Sequence, residues 1–194
     1  MSQTAETRAT YEDLYNIPDN MTGEIIAGKL IVTPRPSRRH AYAASSLGAL
    51  LIAPFQFGES GGPGGWIFLI EPEIALDQDI LAPDIAAWKR ERFPVEEDHN
   101  WISAVPDWVC ELLSPSTAKT DKTAKMPIYA RSGVGYLWLV DPIARTLDVF
   151  RLMENNWVVA GLYEGNDKVR AEPFQAVEMD LGLLWLEREG FPSP

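Results

Sequence analysis

Apolar and polar positions alternate between two rhythms along this chain, and the clearest change of rhythm runs from Pro106 to Pro142. Trp108 to Leu113 is a short apolar run interrupted by a single charge, Glu111. Ser114-Pro115-Ser116 ends that strand and offers Ser116 as a helix N-cap. The next segment has helical spacing: Ala124, Ile128 and Tyr129 fall close to one face, and Asp121 and Lys125 form an i,i+4 pair. Gly133 closes the helix as a left-handed cap, and Tyr136 to Val140 is a second apolar run. Two apolar strands joined by a helix predict a right-handed crossover between parallel strands. A carboxylate inside such a strand is costly unless a cation, a metal or hydrogen bonds offset it, which makes Glu111 the residue to explain.

The rest of the chain extends this pattern. Met1 to Ala9 reads as a tail, and Thr10 to Asn16 as a short helix capped by Thr10 with Asp13 three residues on. Glu24 to Thr33 predicts a hairpin turning at Ala27-Gly28-Lys29. Ser37 opens a helix to about Ala53 whose first turn carries Arg38, Arg39 and His40. Trp66 to Leu76 is a strand broken at Pro72, Asp77 to Asp79 a turn, and Ala82 to Trp88 the next strand, with Asp84 at its start. Lys89 to Pro106 is a charged surface excursion. Thr146 to Leu152, Trp157 to Tyr163 and Lys168 to Ala171 form a β-meander, and Leu181 to Leu186 packs back on the sheet. The expected fold is one α/β domain over residues 10–187. It has a mixed central sheet flanked by helices, an N-terminal hairpin and a C-terminal β-meander.

Composition narrows the function. With 194 residues, 46% hydrophobic, the chain can bury one real core. Its 17 basic and 28 acidic residues leave a net charge of −11, which disfavours a generic nucleic-acid coat because counterion release needs cations. An enzyme with a metal-loaded carboxylate site remains open. One cysteine, Cys110, excludes an internal disulfide and a cysteine-rich zinc site, and its mid-strand place makes it a small core residue. The absence of a signal-like or membrane-spanning run makes a soluble cytoplasmic protein the expectation.

Three groups align for chemistry: Asp84 heading one strand, Glu111 inside the next, and Lys125 on the helix that follows. Neighbouring strands lie about 4.8 Å apart, so a carboxylate on each can share one hard cation, Mg²⁺ or Mn²⁺. An ammonium beside it can orient a water or stabilise developing charge. Taken singly, each has a plainer reading. Asp84 could cap the break at Pro83, Glu111 could pair with an arginine, and Lys125 could serve only Asp121 on a solvated face. Glu73, on the strand before Asp84, is a candidate third oxygen ligand, although Glu71 would share its face. Arg35, Arg38 and Arg39 could meet a phosphate backbone, but such clusters are usually solvated. Ser116-Thr117-Ala118-Lys119 has the S-x-x-K spacing of serine acyl-enzymes without their partner motifs.

The combination is more specific than its parts. Pro83-Asp84, Glu111-Leu112-Leu113-Ser114-Pro115-Ser116, Asp121…Lys125…Tyr129 and Gly133-Val134…Trp138-Leu139-Val140-Asp141-Pro142 closely resemble the Uma-two family. Glu24 to Leu30 and the Pro34…Pro36…His40 run extend the resemblance, which covers roughly Tyr11 to Leu152. That family consists of endonucleases of the PD-(D/E)XK restriction-endonuclease-like superfamily. The resemblance implies a DNA endonuclease in which Asp84 and Glu111 hold Mg²⁺ or Mn²⁺ and Lys125 is catalytic. The superfamily pattern puts its lysine two residues after the strand acid, where this chain has Leu113; the family supplies it from the next helix, where Lys125 stands and Lys119 and Lys122 lie close by. Glu24 and His40 belong to the resemblance with structural roles expected. A homodimer is compatible with cutting both strands of a duplex, since it carries two sites. The alternatives are a non-catalytic nuclease-like binding or regulatory module, and a metal hydrolase acting on RNA or another phosphoester.

Overall fold

The computed structural model describes residues 8–186 except Glu97. Residues 1–7 of the expected tail and the last residue of the expected domain, Glu187, lie outside the described residues. Arg8 and Ala9, also assigned to the tail, are held: the Ala9 N–H donates to the Gly28 carbonyl at 2.9 Å. Helix α1 (Tyr11–Leu14) leads into β1 (Met21–Ile26) and β2 (Lys29–Pro34). Ala27 and Gly28 take φ of 52° and 75°, as a two-residue turn matched to strand twist requires. Helix α2 (Arg38–Phe55) starts on Ser37, whose hydroxyl accepts from the His40 N–H.

Strands β3 (Trp66–Ile70), β4 (Ile74–Leu76), β5 (Asp79–Leu81), β6 (Ile85–Lys89) and β7 (Trp108–Leu112) follow. Then come α3 (Ala118–Thr120), a π-helical turn (Asp121–Lys125) and α4 (Met126–Ser132). Gly133 ends α4 with φ of 85°. The chain continues through β8 (Tyr136–Asp141), β9 (Thr146–Met153), β10 (Asn156–Glu164), β11 (Lys168–Val169), β12 (Met179–Asp180) and a 3₁₀ turn, Leu181–Leu184.

The central sheet has six strands in the order β10-β9-β8-β7-β6-β3, with β7 and β8 parallel and the other pairs antiparallel. It is the mixed sheet expected, with the helical crossover between its two parallel neighbours. The break at Pro72 separates two sheets: β3 joins the central one, while β4 and β5 join the hairpin in a second sheet ordered β2-β1-β5-β4. Asp79, expected in a turn, therefore starts β5. The meander is β8-β9-β10. Its expected further strand shortens to Lys168–Val169 and pairs with Met179–Asp180 in a separate ribbon.

Side-chain alternation assigns each sheet face a core. Trp108, Cys110 and Leu112 of β7 and Trp138 of β8 face Leu47, Leu51 and Phe55 of α2, together with Phe174 and the C-terminal Leu181, Leu184 and Trp185. Val109 of β7 and Leu137 and Leu139 of β8 face Ile128 and Tyr129 of α4. Glu111 shares the parity of Val109, so the sheet aims it at the crossover helix.

Candidate active site

Strand register brings the first two acids to the same end of the central sheet. In the antiparallel β6–β7 pair, Ile85 lies opposite Cys110 and Ala86 opposite Val109. Continuing that register by one residue puts Asp84 opposite Glu111. Side chains so placed sit about 4.5–5.5 Å apart at Cβ. Both line one cleft of about 480 Å³ between the central sheet and the hairpin sheet. Asp84 does more than cap a break. Its Oδ2 accepts from the Leu112 N–H at 2.6 Å and its Oδ1 lies 3.1 Å from His40 Nε2, so it ties β6 to β7 and to the first turn of α2.

Lys125 arrives from the crossover. Its Nζ lies 2.7 Å from Glu111 Oε1, 2.9 Å from Glu24 Oε1 and 3.7 Å from Asp121 Oδ1. Glu111 and Lys125 are each 3% exposed, which excludes the solvated-face reading. Lys119 and Lys122 are exposed, so Lys125 is the lysine of this stretch that reaches the cleft. The π turn over Asp121–Lys125 is the local distortion that accompanies this placement; such turns are rare and concentrate at functional sites. Ser116 is not the N-cap. The helix begins at Ala118, and the Ser114 hydroxyl accepts from the Thr117 N–H at 3.2 Å, because Pro115 makes the intervening residues a turn rather than a helix start.

Glu24 and His40, expected in structural roles, are members of the cluster. Glu24 Oε1 accepts from the Ala82 N–H at 2.8 Å as well as pairing with Lys125. Its sequence signal resembled that of Glu111, an acid beside the β-branched pair Ile25-Ile26. Glu73 lies in the break between β3 and β4 rather than on a strand. It lines the cleft, but its carboxylate takes the Tyr11 hydroxyl. Arg35 lines the cleft mouth, while Arg38 and Arg39 are exposed.

The electrostatics are those of too many acids around one cation. Burial pushes the Glu111 carboxyl well above its ordinary range; Lys125 opposes this, and Asp121, Asp84 and Glu24 add to it. Asp121 is raised by burial against the pull of Lys125 and Thr117. Burial alone would lower the Lys125 ammonium, but Glu111, Glu24 and Asp121 outweigh it and hold it above its ordinary range. Burial likewise works against charge on His40, and its bond to Asp84 turns the net shift upward. The Lys125 ammonium is therefore held in its charged form.

The donor set suits a hard divalent cation. No group of three or more His, Cys, Asp or Glu is arranged as a complete metal cage among the described residues. Mg²⁺ asks for less, being held through one or two carboxylates with water and substrate oxygens completing its shell. Two carboxylates lining one cleft, Asp84 and Glu111, with further acids around them, meet that requirement.

The Uma2 family, described as "Putative restriction endonuclease", matches residues 8–182, and the chain belongs to it. A crystal structure of "a putative nuclease belonging to DUF820 from Anabaena variabilis ATCC 29413" superposes with a TM-score of 0.73 at 22% identity, covering 91% of this chain and 97% of that one. This likeness shows a nuclease-like fold. No curated protein matched. Among the described residues, no helix is long and apolar enough to cross a membrane.

Proposed function

We propose that this member of a restriction-endonuclease family is a metal-dependent endonuclease that hydrolyses DNA phosphodiester bonds. The observation that carries the reading is that Asp84 and Glu111 line one cleft at the end of the β6–β7 pair together with Lys125, whose Nζ lies 2.7 Å from Glu111. Asp84 and Glu111 would hold Mg²⁺ or Mn²⁺, which when bound supplies a Lewis acid for the phosphoryl oxygen and an acidified water. Lys125, protonated across the working range, orients the attacking water and offsets charge growing on the phosphate. His40 and the Leu112 N–H hold the Asp84 carboxylate in place. Glu24 helps hold the ammonium over the cleft. A homodimer would present two such clefts to a duplex.

The test is incubation of the full chain with supercoiled plasmid, RNA and a small phosphodiester under Mg²⁺ and Mn²⁺. Nicking or linearisation of the plasmid that requires the metal and disappears in Asp84→Ala is expected. Cutting of RNA or the small ester alone would transfer the reading to another phosphoester. The non-catalytic module is favoured by one feature: Glu24, Glu71, Glu73, Asp84, Glu111 and Asp121 all line the cleft, against Lys125 and Arg35. Metal binding without cleavage of any substrate would select that module.

A further inference from the structure

Tyr129 stands one turn beyond Lys125 on α4 and is fully buried. A buried phenol keeps its hydroxyl only where a partner receives it, since an unsatisfied group costs about 1–3 kcal/mol. Here the partner is the proposed metal ligand itself: the Tyr129 hydroxyl donates to Glu111 Oε1 at 2.5 Å. Lys125 Nζ reaches the same oxygen at 2.7 Å. One carboxylate oxygen thus receives two donors from a single helical face, and the carboxylate has its remaining oxygen to present to the cleft that it lines.

We infer that Tyr129 is a positioning residue that, with Lys125, locks the Glu111 carboxylate by Oε1 and leaves the other oxygen as the one that meets the cation. This rests on the metal-dependent reading above. Three features of the chain support it. The ring is fully buried in the apolar core of this sheet face, which restricts the swing of the hydroxyl. The helix carrying it is pinned from outside, the Trp157 indole N–H donating to the Met126 carbonyl at 2.9 Å. Lys125 is divided among Glu111, Glu24 and Asp121, whereas Tyr129 bonds Glu111. The lysine alone therefore tolerates more than one Glu111 rotamer, and the tyrosine selects among them. Partners that orient metal ligands from behind typically govern affinity by about 10–100-fold.

The experiment is calorimetric titration of the metal-free full chain with Mn²⁺, alongside thermal unfolding. Tyr129→Phe keeps the ring and removes the donor; about tenfold weaker Mn²⁺ binding is expected. Ile128→Val, in the same core and next in sequence, loses packing without touching Glu111 and should lower stability while leaving Mn²⁺ affinity unchanged. Should Tyr129→Phe not fold, 3,5-difluorotyrosine at this position keeps the shape and the hydroxyl and changes only its acidity, and Mn²⁺ affinity should shift with it. Unchanged affinity in the folded variant, or an equal loss in Ile128→Val, overturns the inference. If the wild type binds Mn²⁺, Glu111→Ala does not, and Tyr129→Phe matches wild type, the metal reading stands and only the role of Tyr129 falls. If the wild type binds none, both fall together.

Discussion

Lys125→Met is expected to lose DNA cleavage by a factor on the order of 10²–10³, and to lose stability as well. The first effect follows from the role proposed for Lys125, a fixed donor beside the attacking water. The second follows from burial. Lys125 and Glu111 are each 3% exposed, and Glu24 and Asp121 share the same ammonium. Deleting one partner of a buried ion pair leaves its counter-charge unpaired, which costs about 3–5 kcal/mol. For a chain of this length that is a fall in Tm of about 6–20 °C. The loss should deepen with pH. Burial raises the Glu111 and Asp121 carboxyls, so in acid they take up protons and need no cation, whereas at higher pH the variant must hold them ionised without their ammonium. Thermal melts at pH 5 and pH 8 read the trend, and cleavage assayed at 15 °C separates lost chemistry from lost folding. Cleavage within tenfold of wild type in a folded variant would remove Lys125 from the catalytic role.

The parts of this site that were legible in the sequence are those decided locally. An acid inside the apolar run Trp108–Leu113 stands out because few local contexts tolerate it, and Asp84 follows from neighbouring-strand geometry once the strand is recognised. Lys125 is preferred to Lys119 and Lys122 through the family resemblance, since helical phase alone is blurred here by a π turn that no propensity encodes. Glu24 and His40 were harder to place, since their roles arise from long-range assembly. Glu24 reaches Lys125 only because β1 pairs β5 at Ile25–Ile80 and swings the hairpin sheet over the end of the central one. His40 reaches Asp84 because α2 packs on the opposite sheet face with its first turn at the sheet end. The division of Trp66–Leu76 between two sheets has the same origin. Pro72 announces a break, but which partner each half takes depends on strands elsewhere. The loss of Lys168–Ala171 from the meander is similar: Val169 and Ala171 are buried against α2's side of the core rather than spent on extending the sheet edge.

Glu111→Gln should abolish cleavage and, in the metal-free protein, raise the melting temperature. Gln keeps the shape and an oxygen that accepts from Tyr129 and Lys125, while removing one negative charge from a cluster that also holds Glu24, Asp84 and Asp121. The sign of the stability change follows from linkage. Burial and the neighbouring acids raise the folded carboxyl above its ordinary value of 4.5. The native state then binds a proton that the unfolded state releases, and wild-type stability falls as pH rises above that value. The variant has no such group, so its advantage should be small near pH 4.5 and widen towards pH 8. Metal should reverse the order. A ligand at 100 times its Kd stabilises by about 2.7 kcal/mol, or about 5–11 °C for a chain of this size. Mn²⁺ should therefore lift the wild type by that amount and leave Glu111→Gln almost unmoved, so that the two melting curves cross. A variant that melts below metal-free wild type at pH 8 would show that Glu111 is stabilising when ionised. An equal response of both proteins to Mn²⁺ would place the cation elsewhere. The crossing is the signature of a carboxylate whose charge the fold tolerates for the sake of what it binds.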